Sequence, residues 1–166
     1  MALDRLRGRD ETPEERADRN LAEMLQELRV ALPGVQVLFA FLLTVPFSQN
    51  FTRLSAGQQK LYYGILIATA LATVLLIAPT AHHRLLFRQR DKEHLVVISN
   101  RYAIAGLAVL ASAILGALFL IGDYLYGTET TVIVTACVGL VLVGVWYALP
   151  IHRRAQLQSA EGSDQD

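Results

Sequence analysis

The chain has 166 residues, of which 53% are apolar and 18% are charged, and its 15 basic residues balance its 15 acidic ones. A zero net charge gives no overall positive field, which argues against a nucleic-acid partner. The length suits one domain, but the apolar fraction is high for a water-soluble domain of this size. The distribution of the apolar residues therefore decides the class of protein.

Charged residues leave four long gaps in the chain, each of 21 to 23 residues, at 30–52, 61–83, 102–122 and 130–152. A helix of that length measures about 30 Å, which is the thickness of the hydrocarbon core of a bilayer. Helices in the core of a soluble bundle keep a polar stripe, whereas 138–145 is apolar on every side and 71–78 is so apart from Thr73. We predict an all-α integral membrane protein with a four-helix transmembrane domain at 31–152 and spans at about 31–50, 61–80, 102–122 and 130–150.

Basic residues fall unevenly on the two sides of these spans. Thirteen of the 15 lie before the first span, between the second and third, or after the fourth, and only Arg53 and Lys60 lie in the opposite loops. Because cytoplasmic segments are rich in Lys and Arg, both termini and the central loop are predicted to face the cytoplasm. The polar ends, 1–11 and 153–166, are predicted to be disordered tails.

Residues 12–30 are predicted to form an amphipathic cytoplasmic helix. Thr12 can cap its first turn, Pro13 suits its first position, and Glu15 stands three residues after the cap, as in a capping box. The polar face mixes acidic and basic side chains, whereas helices that lie on a membrane usually carry a basic face, so a contact with protein is favoured. The run 32–34, Leu-Pro-Gly, predicts a hinge into the first span.

The first span carries a weakly polar line of residues spaced four apart: Gln36, Ala40, Thr44 and Ser48. A polar line in a membrane helix faces a neighbouring helix or water, because exposing an amide to lipid is costly. If the protein has a path for a solute, Gln36, Thr44 and Ser48 are the first candidates to line it. The alternative is that Gln36 makes one hydrogen bond to another helix.

Asp123 is a carboxylate at the edge of the third span, and a carboxylate in a partly dry place can carry a proton or an ion. The alternative is a solvated group at a helix end. Cation and proton exchangers generally need acidic residues near the middle of the membrane, and no span contains one. This absence argues against a self-contained antiporter.

Three spans have small residues at four-residue spacing: Gly64, Ala68 and Ala72; Ala108, Ser112 and Gly116; Gly144 and Ala148. Such stripes let helices approach closely in lipid, where the hydrophobic effect does not drive association. They serve packing within one chain or between copies, and we expect a homo-oligomer.

The cytoplasmic ends of the second and fourth spans carry three candidates for a metal site: His82, His83 and His152. Adjacent histidines do not easily share one site, and no cysteine or carboxylate pattern completes it, so no metal or other cofactor is expected. The central loop has four candidates for contact with anionic lipid headgroups: Arg84, Arg88, Arg90 and Lys92. No GxSxG, P-loop or HExxH motif appears, so no catalytic residue and no enzymatic activity are predicted.

Four segments, NLAEMLQELRV at 20–30, LPGVQ at 32–36, FAFLLTVPF at 39–47 and APTAHHR at 78–84, resemble a family of small, uncharacterised four-span proteins from actinobacteria. The resemblance covers most of residues 20–154. It implies a four-span fold and a bacterial plasma membrane. Members often carry the label of sodium:proton antiporter, but the family offers no catalytic residues to carry over.

Two hypotheses about function remain. The leading one is a homo-oligomer that conducts or exchanges a small ion along the polar line, with Asp123 near the external mouth. The competing one is a non-transporting scaffold or regulatory subunit in which residues 12–30 and the basic central loop recruit a protein partner or lipid. Membrane lipids are expected partners in both.

Overall fold

The structure, a computed structural model, describes residues 12–85, 92–148 and 152–153. The predicted tail at 1–11 and most of that at 153–166 lie outside the described residues. Within them the chain is helical and has no strand. The elements are α1 (Pro13–Thr44), two 3₁₀ turns (Val45–Phe47 and Phe51–Arg53), α2 (Ala56–Leu85), α3 (Lys92–Tyr126) and α4 (Thr128–Val143), which continues as a π-helix (Gly144–Ala148).

Four helical stretches are long and apolar enough to cross a membrane: Asp18–Phe47, Ala56–Leu85, Val96–Tyr126 and Thr128–Ala148. They have 30, 30, 31 and 21 residues, so at about 1.5 Å per residue each reaches or exceeds the roughly 30 Å of a hydrocarbon core. For the residues that the structure describes, the prediction of helices alone, with four long enough to cross a membrane, is confirmed.

The start of α1 has the predicted capping box. The Thr12 N–H donates to a Glu15 carboxylate oxygen at 2.9 Å, and the Glu15 N–H donates to the Thr12 hydroxyl oxygen at 3.2 Å. Hydrogen bonds from Thr12 lower the pKa of the Glu15 carboxyl, because they favour its charged form. The helix therefore begins at the residue that the sequence indicates.

The helices divide into two compact units, and the first contains residues 12–53 and 63–113 of the described chain. Its core is a cluster of side chains from α1, α2 and α3: Leu28, Val35, Ala72, Leu76, Ala103 and Leu110. Because Leu28 belongs to this cluster and Leu21 is equally buried, the apolar face of residues 12–30 is covered within the chain itself.

Pro33 lies inside α1, and the helix continues through it, so the expected hinge is not a break in the helix. A proline removes one backbone donor and usually bends or ends a helix. Here Leu28 and Val35, on either side of Pro33, both pack into the core with Ala72 and Leu76. We attribute the continuity of α1 to this packing.

Gly106 of α3 lies close to α2. A Cβ on this glycine would lie 2.8 Å from Leu76 Cγ and 3.2 Å from Leu75 Cβ, both shorter than ordinary contact distances. Ala108 and Ser112, two of the small residues expected at a helix contact, are exposed instead. The face of α3 that packs in the first unit is therefore not the one with four-residue spacing.

The second unit contains residues 54–62 and 114–148 together with 152–153. Gly127 joins α3 to α4 with φ = 85°, a left-handed conformation that glycine adopts without a steric penalty. The two helices approach closely just beyond this turn, where a Cβ on Gly122 would lie 2.8 Å from the Thr131 hydroxyl oxygen.

Candidate functional site

Gln36, Ala40 and Thr44 lie along α1 and are all exposed, and we name these three residues the α1 polar face. They follow one another at four-residue spacing, so they form a gently winding line on the helix. The Thr44 hydroxyl donates to the carbonyl of Phe41 at 2.8 Å, which satisfies its proton and leaves its oxygen free to accept. The α1 polar face is thus open to whatever surrounds the chain.

Ser48 lies beyond this face, because α1 ends at Thr44 and a 3₁₀ turn follows. Pro46 falls in this turn and has no N–H with which to continue the α-helix. The Ser48 hydroxyl donates to the carbonyl of Val45 at 2.8 Å. The four-residue spacing in the sequence placed Ser48 on the same line only on the assumption of an unbroken helix.

Gln36 has a side-chain amide that makes no hydrogen bond with any described residue. It comes seven residues after Arg29, the last charged residue before the span, which is about 10 Å along a helix. An amide with two donors and an acceptor thus enters the apolar part of α1 and points away from its own chain.

Asp123 accepts hydrogen bonds on both of its carboxylate oxygens. The side-chain amide of Gln58 donates at 2.8 Å and the Thr128 hydroxyl donates at 2.6 Å. The N–H of Gly127 also donates to the Asp123 backbone carbonyl at 3.3 Å. These bonds stabilise the charged carboxylate and join the end of α3 to the first turns of α2 and α4.

Gln58 is not among the residues that the sequence patterns single out. The side-chain oxygen of Gln58 accepts from the backbone N–H of Ser55 at 3.0 Å, and the backbone N–H of Gln58 donates to the Ser55 hydroxyl oxygen at 3.2 Å. The pair therefore forms a second capping box. The amide nitrogen is then directed to Asp123. The Ser-x-x-Gln spacing could have located the start of α2, but not its contact with Asp123.

Replacing Asp123 by alanine is expected to lower the thermal unfolding midpoint of the purified protein by several degrees, because it leaves the Gln58 amide and the Thr128 hydroxyl without their acceptor. Asp123→Asn keeps one oxygen and should lower it less. Glu129→Ala is the control, since Glu129 is exposed and has no hydrogen bond to the described chain. Equal midpoints for Asp123→Ala and Glu129→Ala would contradict this structural role.

The three candidate metal-binding histidines differ in their surroundings. The His82 Nδ1 is 2.8 Å from the carbonyl of Ala78, and the ring stacks on Tyr102 with centroids 5.3 Å apart. His83 is half-buried and His152 is exposed. No three His, Cys, Asp or Glu side chains of the described residues come together as a metal site.

The candidate lipid-headgroup residues are described in part. Arg84 is exposed in the last turn of α2, and Lys92 is the first residue of α3. Arg88 and Arg90 lie outside the described residues, as does the side chain of Lys92. Contact of this segment with anionic lipid stays a prediction.

A groove lies between α3 and α4 in the second unit, with a volume of about 290 Å³. Its lining is almost entirely apolar and includes Leu118, Ile121, Gly122, Leu125, Val134 and Thr135. Thr130 and Thr131 also line it, and the Thr131 hydroxyl donates to the carbonyl of Gly127 at 2.8 Å. Nothing in the sequence patterns singled out this groove.

Four long apolar helices, with no strand at 12–85, 92–148 or 152–153, indicate an integral membrane protein of the α-helical class. The profile of a family of unknown function, DUF6328, matches residues 10–150, so the chain belongs to that family. No curated protein and no solved structure matches it. The resemblance to an uncharacterised family is thereby confirmed. The activity of this protein has to be inferred from its own residues.

Proposed function

We propose that this protein is a homo-oligomer that conducts or exchanges a small ion along a path lined by the α1 polar faces of neighbouring copies. The observation that carries the proposal is Gln36, an exposed amide in a membrane-spanning helix with no partner in the described chain. A single copy surrounded by lipid would leave this amide in hydrocarbon.

Moving an amide from water into an apolar medium without a hydrogen bond costs roughly 2–7 kcal/mol. A second copy removes that cost, because an amide is both donor and acceptor and can pair with its own equivalent. Ala40 lies one turn further along α1 and is small and exposed, so it leaves space beside the amides for a narrow path between the copies. The surface is available, since only 11% of the apolar stretch of α1 is buried.

A small ion suits the chemistry of this face. The α1 polar face offers an amide and a hydroxyl oxygen and carries no charge, and rings of neutral oxygen dipoles can replace part of the hydration shell of an ion. Asp123 accepts one hydrogen bond on each carboxylate oxygen and keeps further lone pairs, so it stays a candidate ion-binding group.

We further propose that the protein lies in the bacterial plasma membrane with both termini in the cytoplasm. Thirteen of its 15 basic residues flank the spans on one side, which supports this orientation.

Ion flux in proteoliposomes tests the proposal. Purified protein should carry Na⁺, K⁺, H⁺ or an anion across the bilayer above the level of empty liposomes, and Gln36→Leu should abolish that flux. The control is Phe41→Leu, because Phe41 is an exposed apolar residue about 140° around the helix from Gln36. Flux that survives Gln36→Leu, or no flux from the unmodified protein with any of these ions, would contradict the proposal.

A scaffold that recruits a cytoplasmic protein is the second candidate. It is favoured by the exposed mixed-charge side of α1, where Glu23 and Glu27 point outward while the apolar side is buried. A partner would then bind this mixed-charge side of α1 rather than the buried apolar side. Absence of flux, together with capture of a protein that Glu23→Lys and Glu27→Lys abolish, would support this function instead.

A further inference from the structure

We propose that the groove between α3 and α4 binds one acyl chain of a membrane phospholipid. This goes beyond the ion path and is independent of it, because the groove lies in the second unit and shares no residue with the α1 polar face.

The groove has the size and position for such a chain. Its volume of about 290 Å³ holds roughly ten groups the size of a water molecule, which is the scale of a segment of acyl chain. Its walls are the last turns of α3 and the first turns of α4, two helices that are long and apolar enough to cross a membrane. Hydrocarbon therefore surrounds its open side.

The lining excludes a charged ligand and favours an alkyl one. Leu118, Ile121, Leu125 and Val134 present only methyl and methylene groups, and Thr131 has its hydroxyl proton bonded to the carbonyl of Gly127. The Thr135 hydroxyl is buried without a hydrogen-bond partner among the described residues, but it carries no charge. A charged or strongly polar ligand would lose its hydration there without compensation. An alkyl chain instead gains the dispersion contacts that an unfilled groove lacks.

One polar group at the turn end of the groove favours a phospholipid over a side chain from a second copy. Thr130 lines the groove, and its hydroxyl has no hydrogen-bond partner in the part of the chain that the structure describes. It is three residues past Gly127, about 4–5 Å along α4, close to the end of the spanning helix. At that depth the ester carbonyl of a phospholipid can accept the proton of the Thr130 hydroxyl. An apolar side chain from a second copy has no atom that can accept it.

Photo-crosslinking tests the proposal with the full chain in bilayers. The probe is a phosphatidylglycerol with a photoreactive diazirine in one acyl chain, mixed at a small fraction into phosphatidylglycerol and phosphatidylethanolamine vesicles. We expect several-fold more label at residues 130–135 than at the equally apolar residues 138–143 further along α4. Val134→Trp fills the groove and should remove this excess. Val141→Trp is the matched control, because Val141 lies two turns along the same face of α4, is 65% exposed and does not line the groove.

Three results would overturn the proposal. Even labelling along α4 would mean that lipid contacts the helix without a site. An excess that persists in Val134→Trp would place the label outside the groove. Label at residues 130–135 that is absent at a low ratio of lipid to protein and appears only on dilution with lipid would make a second copy the occupant.

Discussion

Replacing Gly106 by valine is expected to lower the free energy of unfolding by about 1–3 kcal/mol, the usual cost of forcing extra atoms into a packed interior. The first atom of the new side chain would lie 2.8 Å from Leu76 Cγ and 3.2 Å from Leu75 Cβ. Leu76 is fully buried and belongs to the core of the first unit, so it has little room to move. The strain must then separate α2 from α3 or shift the core side chains.

Gly64→Val is the matched control for this prediction. Gly64 also lies inside a membrane-spanning helix, but a Cβ placed on it meets nothing within 4 Å. Both substitutions change helix propensity by the same amount, so the difference between their free energies of unfolding reports the contact of residue 106 with Leu75 and Leu76. Unfolding by sodium dodecyl sulfate titration, followed by circular dichroism, would measure it. Equal stability of the two variants would show that α2 and α3 do not pack at Gly106.

Replacing Gln36 by leucine is expected to weaken association between copies of the chain. Hydrogen bonds between membrane helices contribute about 0.6–2 kcal/mol, so the dissociation constant should rise by about 3- to 30-fold. Leucine keeps the bulk of the side chain and removes its donors and acceptor. The effect therefore reports the hydrogen bond rather than a change in size.

Energy transfer between differently labelled copies, followed as the protein is diluted with lipid, would measure this association. Phe41→Leu should leave the curve unchanged, because it alters an exposed apolar residue on another part of α1. Gln36→Asn retains a shorter amide and should fall between the unmodified protein and Gln36→Leu. Identical curves for Gln36→Leu and Phe41→Leu would contradict a role for the amide.

The elements of the fold could be predicted from the sequence because their signals are local. Four charge-free runs of membrane-spanning length correspond to four helices, and the Thr12 and Glu15 pair marks the start of α1. A charge-free run or a capping box needs only neighbouring residues, so no knowledge of tertiary contacts was required.

Features that depend on contacts between helices could not be predicted in the same way. On α3, both Gly106 and the Ala108 and Ser112 pair are small enough for a helix contact, and only the rotation of the helix decides that Gly106 is used. Likewise, Gln58 and Asp123 are 65 positions apart in the chain, so their hydrogen bond has no local signature.

The continuity of α1 through Pro33 also depends on contacts between helices. Proline weakens a helix by a local rule, but the packing of Leu28 and Val35 on either side outweighs that tendency. Of the candidate path residues, Gln36 and Thr44 both lie in α1 and are exposed, whereas Ser48 lies beyond its end, and their part in a path stays a prediction.

Disulfide crosslinking at position 36 tests the central claim, that the α1 polar face meets a second copy, most directly. Cys137, the one cysteine of the chain, is first replaced by serine, and Gln36→Cys is then compared with Phe41→Cys in membranes under mild oxidation. Efficient dimer formation through position 36, with little through position 41, is the result we predict. Monomers at position 36, or equal crosslinking at both positions, would contradict the claim.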